Sequence, residues 1–358
     1  MRKLLLVVVT LVLVGTLAAC AADTTPTTAP SAPSGGAVGT PMPESSGETA
    51  TWTMNWGYAP AMSADGAAGS PDGRFEQTLL QKSGGRFKLD IRESMVPREQ
   101  ELDFIASNKA QLGDMSITYV AGTYPLLDFG ALPFRFTDLY QYEACLNDPE
   151  MIAIFEEVLR DAGIQYLASL PSGNMKFIWG KEELTTVADF QDYKLRTTGA
   201  IATKAFQLLG AAPVSIPGPE MADAMYRGVV DACVTTLDYG MEQGLDGFSN
   251  AISVWSVMPV ISGAWCASVE AYDALPPDLQ WALRETAHDV SRQQYYAAVP
   301  EFAAFSAWAG STDIPMVYPD QAEVLKAREL TAGTVDDWLQ TAGPYGQDIL
   351  DISAKYIP

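Results

Sequence analysis

Residues 189–236 carry the pattern that most restricts how this chain can fold, because strand and helix signals alternate there in short, well-separated segments. A strand at 193–196 is followed by a helix at about 200–209, which Thr197 or Thr198 can cap and Gly210 can end. The pattern continues with a strand at 213–216, a helix at 220–226 and a β-branched strand at 229–235. This β-α-β-α-β order predicts a parallel sheet with ligand-accessible loops at the carboxyl ends of its strands.

The segments on either side alternate in the same way and predict an α/β protein. The predicted strands lie at 51–55, 87–91 and 112–119, and the predicted helices lie at 75–81 and 99–107. A long helical region opens at Pro277 and continues to about Trp308, which is long enough to cross between two domains.

Length and composition agree with two domains and limit the possible partners. Of 358 residues, about 50 at the amino terminus have the composition of a targeting segment and a linker, which leaves roughly 300 to fold. The chain has 44 acidic and 22 basic residues, a formal net charge of -22. A surface of that sign disfavours nucleic acid as a partner. It is typical of a solvated surface, or of a protein adapted to high salt.

The first fifty residues predict export and anchoring. Arg2 and Lys3 precede a short apolar run at 4–17, and the ending Leu-Ala-Ala-Cys at 17–20 resembles a bacterial lipobox. That resemblance implies cleavage before Cys20, lipidation of its thiol and an extracytoplasmic, lipid-anchored protein at the periplasm or outer cell surface. Residues 21–50 are rich in Ala, Thr, Pro, Ser and Gly and are expected to form a flexible tether.

Side chains suited to catalysis are scarce. His288 is the single histidine and falls inside the long predicted helix, so a triad that needs histidine would depend on it alone. The sequence contains no nucleophile elbow, no P-loop and no dinucleotide fingerprint. Beyond Cys20 there are three cysteines, of which Cys233 and Cys266 are candidates for one bridge. We therefore expect neither an enzyme nor a cofactor or metal site.

Arg196 is the basic residue best placed to bind an anion. It ends a predicted strand just before a helix amino terminus, and its guanidinium can grip a carboxylate with two parallel hydrogen bonds. From spacing alone, a surface arginine in a salt bridge remains an alternative.

Five motifs in register are similar to those of TRAP-type solute receptors, the family that includes the C4-dicarboxylate-binding DctP branch. They lie at residues 121–136 (AGTYPLLDFGALPFRF), 188–196, 208–214, 225–232 (MYRGVVDA, close to the family's LQRGVVDG) and 272–280. The resemblance extends over about residues 52–350 in order.

The resemblance implies a two-lobed α/β clamshell with a long helix spanning both lobes. Its first lobe would comprise residues 51–172 and about 263–300, and its second lobe 173–262 and about 301–358. A small organic acid would bind in the interlobe cleft and be delivered to a separate membrane permease. A binding lipoprotein of an ABC importer or of a sensor system would look the same, and an enzyme on the same clamshell is a third alternative.

The resemblance also assigns a ligand site. Arg196 falls on the family's carboxylate-binding arginine, and Lys176 occupies the place of a second basic residue about twenty positions upstream. Three further matches are Asn55, Tyr119 and Thr235, the last in place of a common asparagine. Four aromatic residues are candidate apolar walls or core residues: Trp56, Tyr58, Trp179 and Trp265, of which Trp265 is expected to contact the ligand.

Two departures from the family pattern bear on the ligand. Gly218 stands where several members carry an aromatic residue, and Tyr119 replaces an acid found in sialic-acid receptors of this class. A smaller or more apolar acid is expected instead, such as a dicarboxylate, a 2-oxo acid or an aromatic acid.

Overall fold

The computed structural model describes residues 41–57, 70–136, 139–170, 175–255 and 263–357. These residues fall almost entirely in one compact unit, Met42–Pro358. The predicted signal segment, the lipidation site Cys20, most of the tether and Tyr58 lie outside the described residues.

The elements follow one another in three stretches. The first contains β1 (Ala50–Trp56), α1 (Pro71–Lys82), β2 (Phe87–Glu93), α2 (Glu101–Ala106), β3 (Leu112–Ser116), α3 (Ile117–Val120), α4 (Leu139–Leu146), α5 (Pro149–Arg160) and β4 (Ile164–Leu170). The second contains β5 (Phe177–Gly180), β6 (Lys194–Thr197), α6 (Ala200–Leu208), β7 (Ala212–Ser215), α7 (Met221–Tyr226), β8 (Ala232–Thr235), α8 (Leu237–Glu242) and β9 (Ala251–Ser253). The third contains β10 (Gly263–Ser268), α9 (Val269–Asp273), α10 (Pro277–Ala309), β11 (Met316–Val317), α11 (Gln321–Thr331), α12 (Gly333–Leu339) and α13 (Gly346–Ala354). Short 3-10 segments occur at Arg98–Gln100, Pro125–Ala131, Val187–Phe190, Gly218–Glu220 and Leu245–Gly247.

The first lobe is built on a sheet in the order β2-β1-β3-β10-β4. Strands β2, β1 and β3 run parallel, whereas β10, which follows the second-lobe strands β5–β9 in the chain, pairs antiparallel with β3 and β4. All residues of β3, β4 and β10 are buried, as expected for strands covered on both faces by helices.

The second lobe is built on a sheet in the order β11-β9-β5-β8-β6-β7. Strand β6 is parallel to both β7 and β8, which confirms the predicted β-α-β-α-β unit. Strand β8 begins only at Ala232, later than the β-branched run at 229–235 suggested. Gly228 has a φ of +70° and Val229 is exposed, so the first residues of that run form the exit from a turn.

The long helix α10 spans both lobes, as predicted. It has 33 residues and therefore a length of about 50 Å. Near its start Leu283 lies in the core of the first lobe, which it shares with Trp56 and Trp265. Near its end Trp308 packs against Trp179 of the second lobe, with ring centroids 6.2 Å apart.

Residues 301–358, which were expected to lie in the second lobe, contact both lobes. Strand β11 pairs with β9, and Ala327 of α11 lies in a core cluster of the second lobe. Helix α13 packs on α5 of the first lobe, where Ile349 joins a core cluster. Helix α12 adds Trp338 to that cluster and also contacts α6 of the second lobe. Their buried apolar faces require a second surface, and α5 with the segment after α3 provides it.

The three described cysteines are free and buried, so the candidate bridge between Cys233 and Cys266 is wrong. Cys233 lies in β8 of the second lobe and Cys266 in β10 of the first, which places them in different sheets. His288 packs within α10 and its Nδ1 lies 3.1 Å from Oδ1 of Asn147, as expected for a structural helix residue. Within the described residues, every helix is too short or too polar to cross a bilayer.

Candidate functional site

Arg196 lies near the carboxyl end of β6 with only 5% of its surface exposed. Its Nε donates to the carbonyl oxygen of Ile216 at 2.8 Å, and its Nη1 donates to that of Val234 at 3.1 Å. Both acceptors are uncharged, and Arg196 makes no ion pair with a described residue. Burial lowers the pKa of its guanidinium. The second terminal nitrogen, Nη2, makes no hydrogen bond to the described residues, so this buried cation has a donor to spare.

The neighbours of Arg196 come from both lobes. The guanidinium lies within electrostatic range of the phenol groups of Tyr239 and Tyr119. Tyr239 belongs to α8 of the second lobe, whereas Tyr119 belongs to α3 of the first and is 52% exposed. The strand expected at 112–119 ends at Ser116, where its pairing with β10 also ends, so Tyr119 is presented by a short helix rather than by a strand end.

Tyr239 occupies the space above Gly218. A Cβ atom at Gly218 would lie 2.5 Å from Oη of Tyr239, closer than real Cβ contacts come. Burial raises the pKa of the Tyr239 phenol, while Arg196 opposes this. Gly218, which stands where several family members carry an aromatic residue, thus leaves room for the ring of Tyr239 from α8.

Lys176 and Asp128 line the same cavity and form a second charged position. Lys176 precedes β5, Asp128 lies in the 3-10 segment Pro125–Ala131, and both are partly buried. Burial raises the pKa of Asp128 to about 6, and Lys176 acts in the opposite direction. Burial lowers the pKa of Lys176, which Asp128 opposes and Arg196 reinforces. The two side chains form no ion pair within 4.0 Å, and neither makes a hydrogen bond to a described residue.

A cavity of about 510 Å³ adjoins this charged position. Its walls are the segment 121–131 of the first lobe, residues 198–204 at the start of α6, residues 334–341 around α12, and Lys176. The indole Nε1 of Trp338 donates to the carbonyl oxygen of Pro125 at 2.9 Å, which holds two of these walls together. The cavity therefore lies where the two lobes and the carboxyl-terminal helices meet.

Thr235 lies beside the Arg196 position. Arg196 is in register with Cys233 on the neighbouring parallel strand, and Thr235 follows two residues later on the same face of β8. Thr235 is buried at the carboxyl end of the strand, next to the carbonyl of Val234 that receives Nη1 of Arg196. The structure thus brings Arg196, Thr235 and Tyr119 to one region, with Lys176 within electrostatic range of Arg196.

Asn55 and Trp265 do not reach an open surface, contrary to expectation. Asn55 is fully buried; its Oδ1 accepts from the backbone N–H of Met95 at 2.9 Å, and its Nδ2 points to Glu101 at 3.5 Å. Trp265 is fully buried in the first lobe, stacked on Trp56 with ring centroids 5.4 Å apart. Trp179 is likewise fully buried. Apolar strand patterns had marked these tryptophans equally well as core residues, and that is where they lie.

A buried charge cluster in the first lobe was not anticipated. The guanidinium of Arg98 bonds to Glu101 at 2.7 Å and to Asp114 at 2.5 Å, and Asp114 also accepts the backbone N–H of Gly57 at 2.6 Å. Burial, with Asp114 adding to it, raises the pKa of Glu101 to about 8. The one signal in the sequence was Asp114 itself, an acid inside an otherwise apolar strand.

Comparison with protein families gives a match to bacterial extracellular solute-binding proteins, family 7 (DctP), over residues 70–305. A solute-binding protein from Sulfitobacter sp. is 26% identical over 230 residues, which cover 60% of this chain and 66% of the relative. An ectoine-binding periplasmic protein from Halomonas elongata is 20% identical over 55% of this chain and 58% of its own length. The matches thus span less than two thirds of either relative.

Solved structures of similar fold cover more of the chain. An extracytoplasmic solute receptor from Bordetella pertussis that binds pyroglutamic acid has a TM-score of 0.72 at 18% identity, covering 85% of this chain and 99% of the receptor. A TRAP periplasmic solute-binding protein from Ochrobactrum anthropi has a TM-score of 0.77 at 15% identity, covering 86% and 95%. At such identities the likeness concerns the fold, and it agrees with two lobes joined by a shared long helix.

Proposed function

Because this chain belongs to the bacterial extracellular solute-binding proteins of family 7, we propose that it is the extracytoplasmic receptor of a TRAP-type transporter. In this proposal it binds a small organic acid between its lobes and delivers it to a membrane permease. The observation that carries the ligand class is Arg196, a buried guanidinium that, among the described residues, bonds only to neutral carbonyl oxygens and leaves Nη2 without a partner.

The physical argument concerns the cost of burying a charge. A cation removed from water without a counter-charge is destabilising, and backbone carbonyls offset that cost only in part. A ligand carboxylate supplies the missing negative charge and forms a charge-assisted hydrogen bond with Nη2. Ligand binding would therefore be favoured both by the new hydrogen bond and by relief of the uncompensated charge.

Tyr119 supports a coupling of binding to closure. It belongs to the first lobe, yet it lies within electrostatic range of Arg196 in the second. A ligand held by Arg196 would contact Tyr119 of the first lobe when the lobes close. Because that contact forms only in the closed state, ligand binding would shift the equilibrium between open and closed states toward the closed state.

Ligands of the structural neighbours fit the same chemistry. Neighbours bind pyroglutamate and β-D-glucuronate, which carry a carboxylate, and another binds sn-glycerol-3-phosphate, which carries a different anion. An arginine that forms no ion pair within the described part of the chain suits each of them, and the carboxylates match the planar guanidinium best.

A thermal-shift screen tests the ligand class. The protein lacking residues 1–41 is heated with pyroglutamate, glucuronate and a panel of other acids, beside the Arg196→Ala variant. A ligand present at about 100 times its Kd adds roughly 2.7 kcal/mol of apparent stability. We expect at least one carboxylic acid to raise the melting temperature of the wild type and not that of the variant. If uncharged solutes alone stabilise the protein, the proposed ligand class is wrong.

The membrane anchor is a separate part of the proposal and rests on the lipobox-like ending at Cys20. A Cys20→Ser variant expressed in a bacterial host should leave the membrane fraction and appear in the soluble extracytoplasmic fraction. Delivery to a permease is tested by reconstituting the receptor with the permease in vesicles and measuring receptor-dependent uptake of the acid found in the screen.

A further inference from the structure

The charged residues around the cavity fall into two pairs that behave differently. Lys204 and Asp337, both exposed, form an ion pair across α6 and α12, with Nζ and Oδ2 3.7 Å apart. Lys176 and Asp128 also have opposite charges and both line the cavity, yet no ion pair joins them and no described residue hydrogen-bonds to either. Two partly buried charges that influence each other across open space leave room for a polar group between them.

Charges near the anion site have a small positive sum. Lys176 and Asp128 both line the cavity, and Arg196 lies on β6, which ends at Thr197 directly before the lining residues Thr198 and Gly199. These two cations and one acid, which also influence one another electrostatically, give this set a net charge of +1. One carboxylate on the ligand neutralises this set, whereas a second carboxylate would leave an uncompensated negative charge beside Asp128, which is costly in a partly dry site.

We propose that this receptor selects acids with a single negative charge whose far end carries a neutral group that both donates and accepts hydrogen bonds. The carboxylate pairs with Arg196, and an amide, lactam or hydroxyl group is received between Lys176, which donates to it, and Asp128, which accepts from it. Dicarboxylates are disfavoured. This inference rests on the proposed function and specifies the ligand of that same site.

The cavity has space for such a far end. Its volume of about 510 Å³ falls within the range of about 300–1,000 Å³ usual for small-molecule sites. Two of its lining glycines, Gly122 and Gly199, have no atom within 4 Å of a hypothetical Cβ, so they border open space. A cyclic amide or a hydroxylated chain can enter without displacing the walls.

Two pairs of probes differ only in the second group. Succinamate and succinate share a carbon chain and differ by a carboxamide in place of a carboxylate; L-gulonate and glucarate differ by a terminal hydroxymethyl group in place of a carboxylate. Titration calorimetry at about pH 8, where Asp128 is ionised, measures all four with the wild type, Asp128→Asn and Arg196→Ala. We expect the monoanion of at least one pair to bind the wild type about tenfold or more tightly than its dianion.

Asp128→Asn provides the decisive comparison, because it raises the charge of the set from +1 to +2. The variant should lose the preference and bind the dianion of the pair at least as well as the monoanion. If Asp128 has only a structural role, the variant would lose the same factor of affinity for the monoanion and for the dianion. An unchanged preference in the variant, or a wild type that favours the dianion, overturns the inference. The proposed function stands in either case as long as binding still depends on Arg196.

A second variant covers the case in which Asp128→Asn does not fold. Gly122→Leu places a side chain in the open cavity, and Gly247→Leu is its control, because a Cβ there also meets no atom within 4 Å but lies outside the cavity lining. Weaker gulonate binding in Gly122→Leu alone supports occupancy of the cavity. Equal binding in both variants places the far end elsewhere and overturns the inference. Loss of Arg196 dependence for every probe overturns the proposed function as well.

Discussion

The guanidinium of Arg196 donates from Nη1 to the carbonyl oxygen of Val234 at 3.1 Å, so the buried cation is attached to the neighbouring parallel strand. A second bond, from Nε to the carbonyl oxygen of Ile216, attaches it to the segment after β7. These bonds fix the plane of the guanidinium before any ligand arrives. An arginine oriented by the backbone loses little rotamer freedom on binding, which favours affinity.

Replacing Arg196 by methionine should separate stability from binding. The variant removes a buried cation that forms no ion pair with the described residues, so the melting temperature without ligand should stay close to that of the wild type or rise. Carboxylate binding should weaken about 100-fold or more, because a charge-assisted pair is lost. Titration calorimetry for binding and scanning calorimetry for stability measure both. A large loss of stability without ligand would identify Arg196 as a structural residue.

Replacing Glu101 by glutamine should change how stability depends on pH. Burial raises the pKa of Glu101 from 4.5 to about 8, with Asp114 adding to this and Arg98 opposing it. Between these values the folded protein keeps a proton that the unfolded chain releases, so the contribution of Glu101 to stability falls as pH rises. The melting temperature of Glu101→Gln, relative to the wild type, should therefore increase from about pH 5 to about pH 8.

Glu99→Gln serves as the control for that measurement, because Glu99 is exposed and lies slightly earlier in the chain. This variant makes the same chemical change at an exposed position and leaves the buried cluster of Arg98, Glu101 and Asp114 in place. Parallel curves for the wild type and Glu101→Gln would show that Glu101 is ionised throughout the range, as its partner Arg98 favours.

Replacing Gly218 by alanine should weaken ligand binding through Tyr239. The new Cβ atom would lie 2.5 Å from Oη of Tyr239, so the ring must move away from its position near Arg196. We expect a loss of affinity for the acid identified in the screen of about threefold or more. Gly247→Ala is the matched control, because its Cβ meets no atom within 4 Å. Equal affinity in the two variants would mean that the position of Tyr239 does not affect the ligand.

Replacing Ile349 by alanine tests the attachment of α13 to the first lobe. Ile349 is fully buried in a core cluster with residues of α5, so its truncation should lower the free energy of unfolding by about 2–5 kcal/mol. Leu325→Ala in α11, where the side chain is 55% exposed, should change it by less than about 0.5 kcal/mol. Urea unfolding measures both. Similar small effects would mean that the carboxyl-terminal helix contributes little to the core.

Added salt should speed the association of an anionic ligand. The chain carries a formal net charge of -22, which repels an anion at long range, whereas the attraction to Arg196 acts at short range. Salt at about 0.15 M limits charge effects to about 8 Å, so repulsion during the approach weakens while the buried ion pair persists. Stopped-flow tryptophan fluorescence with pyroglutamate should show a higher association rate at higher salt. A constant or falling rate would mean that the field at the cleft is not repulsive.

Local patterns in the sequence were sufficient to predict individual elements and their order. The β-α-β-α-β unit around β6, α6 and β8 and the helix after Pro277 were predicted because side-chain period, caps and glycine stops act over a few residues. The errors at Val229 and Tyr119 came from β-branched and apolar runs that continue beyond the last backbone pairing of a strand. Pairing depends on a neighbouring strand, which a local pattern does not describe.

The sequence by itself determined the α/β class, the position of Arg196 at the end of a parallel strand and the large excess of acidic residues. Only the tertiary structure decided which groups lie near Arg196, that Asp128 and Lys176 line one cavity, and that α13 packs on the first lobe. The physical reason is range. Helix caps and side-chain period act between residues close in the chain, whereas the environment of a buried charge is set by residues brought together through packing of distant elements.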